Sequence, residues 1–222
     1  MGSWFLERPI AHRGLHSEKE IPENSLSSFQ RAIDNNFPIE LDIQITKDHE
    51  VVVFHDEYLS RVCGIDKKVS DVTLKELEKL SLFSSSEKIP TLKETLEFVN
   101  NKVPILIELK CLHFDGILEK QTAKALDQYS GQVAVQSFHP FSLIWFKRNR
   151  EDIPRGLLCG SLKESTIGIG KKTLLKSLVF SLLVKPHFSA LEHEWHRPWK
   201  SILCRSLPIV YWTITKSEQV SA

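Results

Sequence analysis

The segment Ile39-Glu-Leu-Asp-Ile-Gln-Ile-Thr46 alternates apolar and polar residues along its length. This alternation predicts a β-strand, because successive side chains of a strand point to opposite faces. Ile39, Leu41 and Ile43 share one face, so Glu40 and Asp42 share the other. Two carboxylates on one side of one strand therefore form the starting point for a candidate site.

The next residues predict a hairpin. Lys47-Asp-His-Glu50 is a polar break of the kind found in turns, and Val51-Val-Val-Phe54 then continues as an apolar run into His55 and Asp56. The connection is too short for a helical crossover, so the two runs are expected to pair antiparallel. If the turn centres near residue 48 or 49, His55 lies across from Asp42.

The rest of the chain alternates strand-like and helix-like segments. Leu26, Phe29, Ala32 and Ile33 recur at helical spacing after the turn-forming residues 22–25. The candidate barrel strands are 8–13, 39–46, 105–110, 132–138, 156–159, 183–186 and 209–213. This order predicts an α/β fold with a parallel TIM-type (β/α)₈ barrel. We expect one barrel domain over residues 1–222, with a hairpin and a surface excursion, including a short helix at 71–80, at about 47–88.

Composition limits the classes of function. With 29 basic and 28 acidic residues the formal charge of the 222-residue chain is +1, so no global field would recruit nucleic acid or an anionic membrane. The four cysteines lie far apart, which favours free thiols in a reducing cytoplasm over a zinc or redox motif. The N-terminus does not resemble a secretory signal. The apolar stretch 174–184 is too short to span a bilayer and is interpreted as a buried barrel helix, with an interfacial membrane helix as the alternative.

Polar residues at three strand ends indicate metal-assisted chemistry on phosphate. Glu40 and Asp42 on one strand and Glu108 on another would form an oxygen-rich site suited to one divalent cation, Mg²⁺, Ca²⁺ or Mn²⁺, rather than zinc. Such a cation would relieve the repulsion between the carboxylates and polarise a phosphoryl oxygen.

Two basic side chains and two imidazoles accompany these acids. Arg13 and Lys110 lie next to or near the proposed site groups and would hold a phosphate. His12 and His55 would divide the two proton transfers that phosphodiester hydrolysis needs. Any one of these residues alone is more often structural than functional, so the prediction depends on their combination.

Several motifs, in this order along the chain, together resemble the glycerophosphodiester phosphodiesterase family. The motifs are His12-Arg-Gly14, Pro22-Glu-Asn-Ser25, Glu40-Leu-Asp-Ile-Gln44, Val53-Phe-His-Asp56 with Leu59, Arg61 and Gly64, Ile89-Pro-Thr-Leu92 and Ile107-Glu-Leu-Lys110. The resemblance is dense over residues 8–110 and weaker afterwards, where it depends on Ser137-Phe138 and Trp212-Thr213.

The resemblance implies a TIM-type barrel that hydrolyses glycerophosphocholine or glycerophosphoethanolamine to glycerol 3-phosphate and an alcohol, in lipid and glycerol metabolism. It implies that His12 and His55 are the acid and base. It also implies that Glu40, Asp42 and Glu108 bind the metal, and that Arg13, Lys110 and Trp212 contact the substrate. Direct attack by water and a cyclic phosphate intermediate both stay open.

Two departures from the family pattern lead to further expectations. The chain reads Trp212-Thr-Ile-Thr215 where the family usually carries Asn after Trp-Thr, and it stops at Ala222 before the family's last helix and eighth strand. An open barrel would expose strand edges, and a homo-oligomer could cover them. Two alternatives to the main prediction are a lysophospholipase D-like phosphodiesterase for acylated substrates and a truncated, inactive barrel that only binds phosphodiesters.

Overall fold

The computed structural model describes residues 4–17, 20–111, 114–159, 183–192 and 207–212. They form an α/β protein whose contacts divide the chain into two compact units, Met1–Ala134 and Val135–Ala222. The helices are α1 (Leu26–Asp34), α2 (Ser60–Cys63), α3 (Leu74–Leu77), α4 (Leu92–Val99), α5 (Ile117–Leu126) and α6 (Pro140–Asn149). The strands are β1 (Ile39–Ile45), β2 (Val51–Val53), β3 (Ile105–Leu109), β4 (Val133–Ser137), β5 (Arg155–Cys159), β6 (Phe188–Glu192) and β7 (Ile209–Trp212).

The first unit is built around β1, which pairs antiparallel with β2 and parallel with β3. The predicted hairpin is confirmed, with Ile43 opposite Val53. One step further along, the Phe54 amide donates to the Asp42 carbonyl at 2.9 Å. Phe54 therefore lies across from Asp42. The predicted pairing of His55 with Asp42 is off by one residue, because the turn is centred on residue 48.

Helix α1 begins where the sequence pattern places it, because a capping box satisfies its first amides. The Ser28 amide donates to Ser25 Oγ at 3.2 Å, and the Ser25 amide donates to Ser28 Oγ at 3.3 Å. Phe29 and Ala32 on the inner face are fully buried. The helix thereby contributes to the buried apolar core and packs on α4.

The prediction of a strand at residues 8–13 is wrong, because this segment forms only one isolated β-bridge. Ala11 pairs with Ile39, its amide donating to the Pro38 carbonyl at 2.8 Å. Arg13 and Gly14 then take positive φ values of 54° and 77°, which end the extended conformation after that bridge. His12 and Arg13 therefore lie on a turn and not on a strand.

The surface excursion has an apolar core of its own, formed by Leu59, Val62, Leu77 and Leu82 among others. The helix predicted over 71–80 is shorter. Residues Val69–Asp71 form a 3₁₀ turn and Val72 is extended, so the α-helix spans only Leu74–Leu77. The capping box between Thr73 and Glu76 explains why the helix begins there.

In the second unit β4 pairs with β5, β5 with β6 and β6 with β7, all parallel. The strand predicted at 183–186 is wrong, since the ladder begins at Phe188 opposite Gly156. Pro186 has no amide hydrogen to donate to such a ladder. Gly156 is required beside the Phe188 ring, because a Cβ there would collide with it. The predicted strands at 132–138, 156–159 and 209–213 are confirmed within the residues described.

Two predictions about the organisation of the chain concern the apolar segment 174–184 and the number of domains. Most of the predicted apolar helix at 174–184 lies outside the described residues. Within the part of the chain that is described, no helix is both long and apolar enough to cross a bilayer. The single barrel domain over residues 1–222 stays a prediction.

Candidate active site

Three carboxylates meet on the paired strands β1 and β3. Asp42 is the register partner of Glu108, and Glu40 lies two residues earlier on the same face of β1. One oxygen from each of the three residues lies within 4.8 Å of the others, and all three side chains are buried. The alternating pattern of the strand thus brings the predicted acidic residues together.

The pKa directions of these carboxyl groups are those of a crowded acidic site. Burial raises the pKa of Glu40 well above its usual range, and the Asp42 and Glu108 carboxylates raise it further. Burial also raises the pKa of Glu108. Burial acts in the same direction on Asp42, but Lys110, His55 and Arg13 outweigh it and hold the pKa of Asp42 well below its usual range.

These residues fit a divalent cation. Three oxygen ligands at this spacing form a hard donor set of the kind that Mg²⁺, Ca²⁺ and Mn²⁺ prefer. Burial, together with repulsion from the neighbouring carboxylates, raises the pKa values of Glu40 and Glu108, and a bound cation would stabilise their charged forms.

Two basic side chains line the carboxylates. Lys110 Nζ lies 2.7 Å from Glu108 Oε1 and 3.1 Å from Asp42 Oδ1. Arg13 Nε lies 3.4 Å from Asp42 Oδ2, and the Arg13 amide donates to Glu40 Oε2 at 3.0 Å. Burial lowers the pKa of Lys110, but Asp42 and Glu108 outweigh it and raise that pKa, so the ammonium stays charged.

Two amide side chains support the site, and the sequence analysis assigned them no role. Asn24 Nδ2 donates to Asp42 Oδ2 at 2.9 Å, while Asn24 Oδ1 accepts from the Asp42 amide at 3.3 Å. Gln44 Nε2 donates to the carbonyls of Phe54 and Asp56 at 3.0 and 2.6 Å. The signals available in the sequence were an asparagine within the turn-forming segment 22–25 and the place of Gln44 on the polar face of the alternating strand.

His12 lies among charged groups on the turn after Ala11. Burial lowers its pKa from 6.5 to about 4, and the Arg13 guanidinium acts in the same direction. The imidazole is therefore neutral at neutral pH and able to accept a proton. Gly14, whose amide donates to the Glu40 carbonyl at 3.2 Å, ties this turn to β1.

His55 belongs to a series of ion pairs. Its Nδ1 lies 2.6 Å from Asp56 Oδ1, and Arg61 contacts both Asp56 oxygens, with Nε 2.6 Å from Oδ2 and Nη2 2.9 Å from Oδ1. Arg61 Nη2 also donates to Glu23 Oε1 at 2.6 Å, and Glu23 Oε1 accepts from Arg13 Nη1 at 3.0 Å. Glu23, Asp56 and Arg61 occur in the motifs that resemble the family, but the sequence does not show that they touch.

Seven of the eight predicted site residues lie in the first unit: His12, Arg13, Glu40, Asp42, His55, Glu108 and Lys110. Trp212 lies in the second unit, where its ring meets the Phe138 ring edge to face with centroids 5.7 Å apart. Its buried indole Nε1 has no hydrogen-bond partner among the described residues. Residues 213–215, where the chain departs from the family pattern, lie outside them.

Comparison with known proteins gives a consistent result. The model of the glycerophosphoryl diester phosphodiesterase family matches residues 12–221. A glycerophosphodiester phosphodiesterase of Caldanaerobacter subterraneus is 38% identical over 165 residues, 68% of this chain and 67% of that protein. Human lysophospholipase D is 34% identical over 139 residues, 57% of this chain and 43% of that protein. Alignments with three bacterial relatives span 61 to 67% of the lengths of those proteins.

The fold is shared with solved structures. A phosphodiesterase from Oleispira antarctica, solved in complex with the product sn-glycerol-3-phosphate, superposes with a TM-score of 0.81 at 24% identity. The superposition covers 98% of this chain and 88% of that one. The predicted TIM-type barrel fold is confirmed by this similarity. Because the family model spans nearly the whole chain, the protein belongs to the glycerophosphoryl diester phosphodiesterase family, a family of phosphodiester hydrolases.

Proposed function

We propose that this chain hydrolyses glycerophosphodiesters, such as glycerophosphocholine and glycerophosphoethanolamine, to glycerol 3-phosphate and an alcohol. The observation that carries the proposal is the grouping of Glu40, Asp42 and Glu108 with two basic and two imidazole side chains in one unit. The named product in the Oleispira antarctica structure supports glycerol 3-phosphate as the product here. The reaction would place the chain in lipid and glycerol metabolism.

The proposal includes one divalent cation, Mg²⁺, Ca²⁺ or Mn²⁺, held by Glu40, Asp42 and Glu108. When bound, the cation supplies Lewis-acid polarisation of the phosphoryl group and neutralises the negative charge that develops there. Asn24 keeps the Asp42 carboxylate in its orientation through the two hydrogen bonds that join them.

The protein groups divide the remaining work. Arg13 and Lys110 are assigned to the phosphate, because both stay positively charged beside the carboxylates. His12 and His55 are assigned to the proton transfers to and from the reacting oxygens. Trp212 is assigned to the substrate, as the resemblance to the family implies.

The direct test is release of glycerol 3-phosphate from glycerophosphocholine and glycerophosphoethanolamine, with EDTA and with each of the three cations added in turn. The proposal requires release that EDTA stops and a cation restores. Release that EDTA leaves unchanged would contradict the metal assignment. A folded protein that binds substrate but releases no product would instead be the inactive, phosphodiester-binding barrel.

Histidine variants test the assignment of the proton transfers. His12→Ala and His55→Ala should each reduce turnover by about two orders of magnitude or more, because each removes one proton-transfer group. His49→Asn, in the exposed hairpin turn, is the matched control and should keep full activity. Normal turnover in either alanine variant would contradict the assignment.

A second candidate substrate class has one supporting observation. The human relative that matches this chain at 34% identity is named lysophospholipase D. Parallel assays with lysophosphatidylcholine and glycerophosphocholine separate the two candidates. A higher kcat/KM for the acylated substrate would favour the lysophospholipase D-like activity, and a higher value for glycerophosphocholine would favour the main proposal.

Location and assembly complete the proposal. We place the protein in the cytoplasm, where a small-molecule phosphodiester would be its substrate and where widely spaced cysteines stay reduced. We also propose a homo-oligomer that covers the edge strands of the sheet. Light scattering tests the assembly, and a monomeric mass would contradict it.

A further inference from the structure

Five charged or polar side chains from three segments of the first unit form one unbroken series. From one end to the other the series runs Arg13, Glu23, Arg61, Asp56 and His55, and the closest contact of each successive pair lies between 2.6 and 3.0 Å. Arg13 and His55 are assigned above to the phosphate and to a proton transfer. The three inner residues Glu23, Arg61 and Asp56 have no assigned role, although they join the two ends.

At one end of the series Asp56 fixes the imidazole of His55. The carboxylate accepts from Nδ1 at 2.6 Å, which leaves Nε2 as the ring nitrogen available to exchange a proton with substrate. Arg61 binds both Asp56 oxygens in a bidentate ion pair, which keeps the carboxylate oriented toward the His55 ring.

At the other end Glu23 holds two guanidinium groups at once. Its Oε1 accepts from Arg13 Nη1 and from Arg61 Nη2, and its Oε2 accepts from Arg61 Nη1 at 3.2 Å. Removing the Glu23 charge would loosen the Arg13 guanidinium, which would keep its contact with Asp42, and would also loosen the inner end of Arg61. One carboxylate thus sets the distance between the phosphate-binding side and the proton-transfer side.

We propose that Glu23 and Arg61 are positioning residues that fix the Arg13 guanidinium and the His55 imidazole relative to one another. Neither residue is needed to place the backbone of His55, which Gln44 holds through the carbonyls on either side of it. The inference rests on the proposed function for its kinetic consequences, but the geometry of the series itself does not depend on that function.

A purely structural role predicts a different outcome. The Arg61 side chain is 45% exposed, and ion pairs at such positions contribute little to the stability of the fold. Misplacement of a catalytic group by about 1 Å can cost two orders of magnitude in rate. A positioning role therefore predicts a large kinetic effect with a small effect on stability.

The chain offers a closely matched control. Lys68 pairs with Glu57 at 2.8 Å and stacks over the Tyr58 ring at 5.5 Å. Arg61 likewise has acidic partners and stacks over the Phe83 ring at 5.7 Å. Lys68→Ala therefore removes an equivalent set of contacts from the same surface excursion without touching the series.

The kinetic experiment compares Arg61→Ala, Glu23→Gln and Lys68→Ala with the unchanged protein. Arg61→Ala should lower kcat about 10- to 100-fold with KM nearly unchanged, because the bound phosphate keeps its Arg13 contact. Glu23→Gln should lower kcat and also raise KM, because it removes the charged partner that orients the Arg13 guanidinium toward the phosphate. Lys68→Ala should change neither constant. Equal, small effects of all three variants would overturn the proposal.

A spectroscopic readout makes the test independent of activity. Long-range ¹H–¹⁵N spectra, assigned with His55→Ala and recorded at alkaline pH, report which nitrogen of the neutral His55 ring carries the proton. The Nδ1–H form should dominate in the unchanged protein and in Lys68→Ala, and Arg61→Ala should shift the ring toward Nε2–H. An unchanged tautomer in folded Arg61→Ala would overturn the proposal.

The spectroscopic result does not depend on the proposed function. If the unchanged protein releases no product, the proposed function is contradicted, and the tautomer of His55 alone decides whether Glu23 and Arg61 are positioning residues.

Discussion

Asn24 holds Asp42, the central carboxylate of the acidic site. It makes two hydrogen bonds to Asp42 and is 2% exposed, with a positive φ of 54° that asparagine tolerates better than most residues. Its loss would leave Asp42 without an amide donor and with an unsatisfied amide of its own. The cost of such a buried unsatisfied group is about 1–3 kcal/mol.

Asn24→Ala should therefore lower the free energy of unfolding by about 2–4 kcal/mol, which combines the unsatisfied group with the backbone strain of alanine at positive φ. It should also weaken binding of Mn²⁺, measured by calorimetry. Asn36→Ala is the matched control, because Asn36 has a similar φ of 55° but an exposed side chain. If the two variants lose the same stability in urea, the hydrogen bonds to Asp42 contribute nothing.

Asp56 should make stability depend on pH. Burial raises the pKa of its carboxyl group, but the hydrogen bonds from His55 and Arg61 outweigh burial and hold that pKa well below its usual range. A carboxyl group with a lower pKa in the folded state contributes stability above its unfolded pKa of about 3.9, and that contribution is lost as the pH falls toward the folded value.

The difference in stability between the unchanged protein and Asp56→Asn should thus be largest at neutral pH and shrink below about pH 4. Urea unfolding at a series of pH values measures it. Asp66→Asn, on an exposed residue of the same excursion, controls for the loss of one acidic group. A difference that stays constant from pH 7 to the acid range would contradict the low pKa of Asp56.

At the scale of elements, the turn between the Ala11 bridge and helix α1 depends on Gly14. Its φ is +77°, and a Cβ at this position would collide with the Ser28 side chain and backbone of α1. The turn can approach the helix this closely only without a side chain. Since His12 and Arg13 lie on this turn, its packing sets their position.

Gly14→Ala should lower the free energy of unfolding by more than Gly64→Ala does, by at least about 1 kcal/mol, and it should also lower kcat. Gly64 is the matched control, because its φ is +72° but a Cβ there meets nothing within 4 Å. The control reports the backbone strain alone, about 1–2 kcal/mol. Equal losses in the two variants would show that the contact with α1 does not matter.

Elements with local signals could be predicted from the sequence, and elements that depend on distant partners could not. The alternation in β1 and the polar break after it were sufficient for the hairpin, including the acids on one face of the strand. The segment 8–13 also reads as a strand, but the positive φ values of Arg13 and Gly14 limit it to one bridge. The strand predicted at 183–186 begins later, at Phe188, because Pro186 has no amide hydrogen to donate to a neighbouring strand.

At the scale of the whole molecule, the three acids of the first unit lie on one face of the paired strands β1 and β3, so side-chain alternation and parallel pairing were enough to group them. The series through Glu23 and Arg61 was not predictable in the same way, because these residues are 38 positions apart and belong to no paired strands. Their contact depends on how the surface excursion packs on its own small core, which no local pattern describes.

A cation that binds the folded molecule and not the unfolded chain must stabilise the whole folded unit around it. At a free cation concentration 100 times its dissociation constant, the gain in the free energy of unfolding is about 2.7 kcal/mol. We expect that gain for the unchanged protein with Mn²⁺, and EDTA should abolish it, since the ligands Glu40, Asp42 and Glu108 have fixed spacing only when β1 and β3 are paired.

Glu108→Gln should lose most of this stabilisation while unfolding normally without cation, because it removes one ligand charge and keeps the shape of the side chain. Glu97→Gln, on an exposed side chain of α4, should retain the full effect. Urea unfolding with and without Mn²⁺ provides the comparison. An equal cation effect in the Glu108 and Glu97 variants would mean that the cation binds elsewhere. No effect in the unchanged protein would mean that the three carboxylates keep their positions through Lys110, Arg13 and Asn24 alone.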